Sequence, residues 1–367
     1  QQIFAETPGL AKLGQKIFFD TNLSEPRGQG CFSCHDSKKA FSDSRRVSPG
    51  AVKGQVGIRN APTLMYAALI PSTYDEEFYD EKGERSFFTE GGLFLDGRAK
   101  DQFAQVREPF FTKHEMNLPD EAALAELLRK ASYAQELKQG LGEVGWKDDT
   151  QVAERAYLAL IEFMREPLFR PFNARIDRFY AGELAVLSDA EKRGLTVFLG
   201  PGNCNQCHLL GTLTWPQPPL TDYGYDNLGV PSRGKKDPGL GGVSGVAEEL
   251  GQFRSPTLRN IALTAPYMHN GSMATLREVI EFYNKRDVEP ERWGKADYPE
   301  TVNKEDLGDL KLTEQQVSDL VALMEAFTDE SLLKMKGGDQ LPIAPDRVPL
   351  TEERRNSFPL SQENDRE

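Results

Sequence analysis

Two copies of one five-residue pattern constrain this chain more than anything else in it. Cys31-Phe-Ser-Cys34-His35 and Cys204-Asn-Gln-Cys207-His208 are both C-x-x-C-H, and together they use all four cysteines and two of the four histidines. The pattern reads as c-type haem attachment. Two thiols add to the vinyl groups of one macrocycle, and the adjacent His becomes the proximal iron ligand. Two other readings use the same cysteines. A zinc site is one, but zinc does not need a His directly after each pair. A redox dithiol is the other, but it belongs at a βαβ turn, and no such pattern surrounds either pair. Two covalent haem c groups are the expected cofactors.

A chain of 367 residues is long for one ordinary core and suits two domains. The haem motifs lie about half the chain apart, and their flanks echo each other. Leu13-Gly-Gln-Lys-Ile-Phe-Phe-Asp20 precedes the first, and Gly194-Leu-Thr-Val-Phe-Leu199 precedes the second. Downstream, Arg59-Asn-Ala-Pro-Thr-Leu64 is answered by Arg254-Ser-Pro-Thr-Leu258. The expected fold is mainly α: two cytochrome c-like haem domains related by internal duplication, with long loops. The expected boundaries are 1–165, 166–330 and a polar C-terminal arm over 331–367. Apolar spacing predicts helix over Asp120–Gln139 and over Thr150–Tyr180, the latter interrupted near Pro167 and Pro171. Ser188-Asp-Ala-Glu191 and Thr313-Glu-Gln-Gln316 read as capping-box starts, the second opening a helix through Phe327. Gly- and Pro-rich stretches at 43–62 and 213–245 read as loops around the haem edges. No strand pattern is strong.

Lys plus Arg number 44 against 57 Asp plus Glu, a net charge of −13, which argues against a nucleic-acid partner. No run approaches the ~20 apolar residues of a membrane span. Haem is joined to apocytochrome thiols outside the bacterial cytoplasm, and Gln1-Gln2 opens the chain without a basic or apolar leader. The expected location is the periplasm, after removal of a signal peptide.

What fills the sixth iron position separates electron transfer from reaction with a small oxidant. The spare histidines are His114 and His269; Met65, Met116, Met268 and Met273 are the other candidates, though Met is more often core filler. Beyond the haem sites, Gly57-Ile-Arg-Asn-Ala-Pro-Thr63, Leu95-Asp-Gly-Arg98, Pro266-Tyr-Met-His-Asn-Gly271 and Phe282-Tyr-Asn-Lys285 resemble the diheme cytochrome c peroxidase/MauG family, from Leu13 to about Phe327. The last two most resemble the MauG-like branch, which includes MauG and MbnH.

The resemblance implies a set of roles. In the peroxidase branch a Met ligates the C-terminal haem; the matching slot here is Tyr283, a hard anionic ligand that favours oxidised iron. Read without the family, Tyr283 is a core ring on an amphipathic helix. No His lies between Val47 and Gln55 to block the His35 haem, so that haem is expected to be five-coordinate or water-bound. Above its iron the family implies Glu115, Gln105 and Pro109, with Glu115 moving the proton of peroxide; alone, Glu115 reads as a solvated loop carboxylate. A calcium ion between the haems is implied at the Asn60 side chain and the carbonyls of Thr264 and Pro266; alone, Asn60 reads as a turn residue.

The family's inter-haem Trp is replaced by Leu95, and the Trp before the second Cys pair in MauG by Gly202. Phe94 is a candidate neighbour for charge exchange and Trp215 for an exit relay. The leading expectation is an enzyme that uses hydrogen peroxide to form a high-valent diheme state and oxidises a residue, Trp in the leading case, on a periplasmic partner protein. A cytochrome c peroxidase fed by a small electron carrier is the alternative. A non-catalytic diheme electron-transfer protein is the alternative from another class, and carbon monoxide binding by the reduced protein discriminates against it.

Overall fold

The computed structural model describes residues 9–79, 85–211, 217–232 and 234–335, with side chains outside 76–88 and 334–335. In chain order the helices are α1 (Leu10–Phe18), α2 (Gln102–Phe111), α3 (Glu121–Arg129), α4 (Ala134–Gly145), α5 (Asp149–Met164), α6 (Arg175–Tyr180), α7 (Asp189–Leu199), α8 (Gly241–Ser244), α9 (Leu276–Lys285), α10 (Pro290–Trp293), α11 (Glu314–Glu325) and α12 (Glu330–Met335). The fold is mainly helical, as expected.

Two apolar clusters form. One gathers residues from Leu13 to Phe169 together with Leu332; the other runs from Ala174 to Phe327. Each is organised by a glycine-bearing helix. In α1, Leu13, Gly14, Ile17 and Phe18 share one buried face, and that face lies on α5. A Cβ on Gly14 would stand 1.8 Å from the Ala159 carbonyl oxygen, so only glycine permits this approach. In the second cluster α7 lies on α11, and a Cβ on Gly194 would stand 2.1 Å from the Asp319 oxygen.

The two proline-threonine segments also do the same work. Thr63 donates to the Ala40 carbonyl, and the Leu64 amide to Phe41 at 3.2 Å. Thr257 donates to the Pro219 carbonyl at 2.5 Å, and the Leu258 amide to Leu220 at 3.2 Å. Phe41 and Leu220 both take left-handed backbone, with φ of 57° and 58°. Each segment thus clamps the loop that follows a haem motif.

A buried polar knot joins the clusters. Tyr66 donates to both carboxylate oxygens of Asp329, at 3.0 and 2.8 Å. Asn260 donates to Asp329 at 2.8 Å and accepts its amide at 2.8 Å. Fully buried Arg259 pairs with Asp177 and lies over the rings of Tyr66 and Phe172.

Both capping boxes form: Ser188 exchanges hydrogen bonds with Glu191, and Thr313 with Gln316. Other expectations are corrected. Strands exist: β1 (Tyr74–Tyr79) and β2 (Arg85–Glu90) make an antiparallel hairpin, and β3 (Tyr225–Asp226) pairs with β4 (Phe253–Arg254). The hairpin needs only local pairing, and β3–β4 joins residues remote in sequence, so neither shows as a long alternating run. Asp120–Gln139 is two helices, α3 and α4, broken over 130–133. Helix α12 occupies the start of the expected arm, whose remainder lies outside the described residues, as does Trp215.

Candidate haem sites and proton-moving groups

Each C-x-x-C-H begins in a one-turn 3-10 helix, Cys31–Ser33 and Cys204–Gln206. At the second motif Cys204, Cys207 and His208 line one cavity. His35 Nδ1 lies 2.9 Å from the Phe41 carbonyl oxygen, and His208 Nδ1 lies 3.1 Å from that of Leu220. A carbonyl only accepts, so Nδ1 carries the proton in both rings and Nε2 keeps its lone pair for a metal. Burial lowers both imidazole pKa values, which keeps the rings neutral. The clamped loops described above therefore set the tautomer of each histidine.

The thiols are held protonated. Burial, then neighbouring charges, pushes Cys31 up to about 12 and raises Cys34; Cys204 and Cys207 are each pushed up to about 12. A redox dithiol needs the opposite shift. The pairs pack against different clusters rather than forming one four-sulfur site. Among the described residues no three His, Cys, Asp or Glu side chains converge on a metal-sized site, so neither the dithiol nor the zinc reading is supported.

At the second site a large cavity is lined by Cys204, Cys207, His208 and Tyr283, with Leu228, Val230, Leu258, Ile280 and Met324 among its apolar walls. Its residues fit a macrocycle with acidic substituents. The Tyr283 phenol is raised well above its usual range by burial, and further by the two thiols and Asp226; only a cation in the cavity would bring it to phenolate. Arg254 is buried, lines the same cavity, and its Nε has no partner. A buried guanidinium without an anion is costly, and a haem carboxylate is the group such a cavity would supply. Sequence reading missed Arg254; its place before Ser-Pro-Thr-Leu258 was the available signal.

At the first site, Gln105 and Pro109 stand four residues apart on α2, hence on one face. The Met116 amide donates to the Pro109 carbonyl at 3.1 Å, which ties the loop carrying Glu115 to that helix. The Ala51 amide donates to the Glu115 carbonyl at 2.7 Å, so the 47–55 loop is anchored on the same segment. The Glu115 carboxyl is near enough to raise both Cys31 and Cys34. It is half-buried rather than freely solvated: burial pushes it up to about 7, Arg98 opposes the rise and Glu108 adds to it. Arg98 also pairs with Glu108 at 2.7 Å and Asp96 at 2.9 Å, and covers the Phe94 ring at 3.6 Å.

Asn60, Thr264, Pro266, Leu95 and Gly202 all line the second cavity. The Asn60 amide nitrogen donates to the Arg45 carbonyl at 2.9 Å, which leaves its oxygen as the acceptor end of the side chain. At Gly202 a Cβ would stand 2.8 Å from the Val197 oxygen, so an indole there would require the backbone to move. His269 stacks on Phe253 at 3.8 Å, and burial lowers its pKa to about 4; Met268 reaches the same cavity, while Met65 and Met116 are core.

A family model described as di-haem cytochrome c peroxidase matches residues 8–185. The methylamine utilization protein MauG of Paracoccus denitrificans is 34% identical over 353 residues, covering 87% of this chain and 88% of that protein. The solved diheme peroxidase BthA from Burkholderia thailandensis superposes with a TM-score of 0.80 at 31% identity, over 89% of this chain and 87% of that one. A MauG-like protein associated with microbial copper homeostasis gives a TM-score of 0.70 at 28% identity, over 90% and 92%. Two imidazoles fixed for metal binding beside paired thiols, in a chain this similar throughout, place it in the di-haem cytochrome c peroxidase/MauG family of peroxide-dependent oxidoreductases.

Proposed function

We propose that this protein is a periplasmic MauG-like enzyme that draws on hydrogen peroxide to oxidise a residue, tryptophan foremost, on a partner protein. The observation that carries this reading is Tyr283, which lines the His208 cavity where a peroxidase-branch protein offers Met. Haem at Cys31/Cys34/His35 and at Cys204/Cys207/His208 supplies the redox chemistry when bound. We assign one haem unit to residues 1–165 and the other to 166–330, related by duplication. The matching glycine contacts, carbonyl clamps and left-handed residues support that assignment.

The chain's own groups then have definite tasks. His35 and His208 present neutral Nε2 atoms. Glu115, as carboxylate, takes a proton from incoming peroxide and returns it to the departing oxygen. Gln105 and Pro109 shape the space over which that transfer occurs. Tyr283 would help hold the haem at the His208 site through its phenol oxygen, and as phenolate its negative charge would favour oxidised iron. Calcium is proposed at the Asn60 oxygen and the carbonyls of Thr264 and Pro266, an oxygen-only set suited to a hard cation.

The test is to mix the diferric protein with peroxide and a candidate partner protein, and map the partner by peptide mass spectrometry. The reading expects one modified aromatic residue and a ferric spectrum with tyrosinate ligation. Rapid turnover with a reduced small cytochrome and no partner modification would instead establish the peroxidase alternative, which the family description also covers.

A further inference from the structure

Two carboxylates border the second cavity. Asp226, at the end of β3, and Asp306 both line the cavity with Tyr283, Cys207 and His208. Their carboxylates share one amide: Asn303 Nδ2 donates to Asp226 at 2.7 Å and to Asp306 at 2.9 Å. Asp306 accepts a second bond, at 3.1 Å, from Asn203, the residue just before Cys204. Among the described residues neither carboxylate has an ion-pair partner. The nearby guanidinium of Arg286 directs its hydrogen bonds to Asp287 and to the carbonyls of Leu228, Asn303 and Leu307, and acts on Asp226 only through its charge.

Two neutral amides satisfy hydrogen bonds without neutralising charge. Burial, and then Asp306, raises Asp226 above its ordinary value, while the Asn303 hydrogen bond and the Arg286 charge oppose the rise. An anion held at such cost is relieved by positive charge in the cavity.

We infer that Asp226 and Asp306 are the fixed counter-charge of the second haem, and that they lower its reduction potential independently of its axial ligand. The inference rests on the proposed occupancy of the His208 cavity by haem. It makes Asp226 and Asp306 positioning residues: they touch no reacting atom but act on the iron through space. It also explains why the Asn303–Asn203 bracket connects to the attachment turn itself, since this fixes the carboxylates relative to the macrocycle.

The test is a spectroelectrochemical titration of the diheme protein, following each haem separately, in Asp226→Asn, Asp226→Glu and Asp306→Asn. Asparagine keeps an acceptor for Asn303 and removes only the charge. Asp226→Asn is expected to shift the midpoint of the His208 haem upward and leave the His35 haem in place, with Asp226→Glu returning it toward wild type. Asp306→Asn should shift it in the same direction, and it carries the test should Asp226→Asn fail to mature. An unmoved midpoint, or equal shifts at both haems, overturns the inference. A wild-type ferric spectrum lacking tyrosinate ligation would overturn the role of Tyr283, and leaves the midpoint test to decide this question on its own.

Discussion

Glu115 is set by three opposed effects. Burial and the Glu108 charge favour its neutral form, Arg98 favours the anion, and the balance is about 7. In the proposed role it works as the carboxylate, so the rate of reaction with peroxide should climb as pH rises toward 7 and level off above it. In stopped-flow measurements Glu115→Gln should abolish that inflection and slow the reaction by ~10²–10⁴-fold. Arg98→Gln removes the cation that stabilises the anion, so the inflection should move to higher pH. An unchanged profile in Arg98→Gln would show that Arg98 does not act on Glu115. At the second site, Tyr283→His should still carry two covalent haems by mass and should lose the tyrosinate absorption. Persistence of that absorption would mean that Tyr283 is not the ligand.

The helices that carry the haem turns depend on backbone contact at two glycines. Gly14→Ala would drive a Cβ to 1.8 Å from the Ala159 oxygen, and Gly194→Ala to 2.1 Å from that of Asp319. Each helix pair must then separate, at a cost of about 1–3 kcal/mol for overpacking of this kind. Thermal melts should show a loss of several degrees for each variant, and haem-content assays should show poorer loading at the site on the same cluster. A melt within a degree of wild type would show that the pairs are not tightly held. These glycines are visible in the sequence as the Gly of each pre-haem helix, and the Ser188 and Thr313 caps are visible because a capping box spans only four consecutive residues. Other features depend on residues brought together only by folding. The break between α3 and α4 has no Pro or Gly to mark it. Asp226 meets Asn303 across 77 positions, and the missing partner of Arg254 Nε exists only once the cavity has formed around it. Tyr283 comes from the family resemblance, since its position on an amphipathic helix alone favours a core ring.

At the scale of the whole molecule, the proposed reaction passes charge between two sites built on separate clusters, and the family resemblance sets Leu95 at the position of an indole. Leu95 is buried, lines the second cavity, and accepts the Arg254 amide at 2.8 Å through its carbonyl. The next residue, Asp96, pairs with Arg59 at 2.5 Å and with Arg98 at 2.9 Å. Arg59 continues to Asp237 at 2.7 Å, and Arg98 to Glu108 at 2.7 Å. This strip fixes the backbone at 95 from both directions, so a replacement side chain there will keep its place. An aliphatic group offers no accessible oxidation state. Phe94 is a poor substitute, because the Arg98 guanidinium over its ring disfavours removal of an electron. Leu95→Trp should therefore strengthen coupling between the haems, read as a stronger near-infrared charge-resonance band after peroxide. The larger ring should cost about 1–3 kcal/mol where the site is tightly packed, so a melting curve must accompany the spectrum. In the wild type the band should be weak and the oxidised state localised. A strong wild-type band that the variant leaves unchanged would overturn this view, and would mean that a group other than residue 95 already connects the two sites.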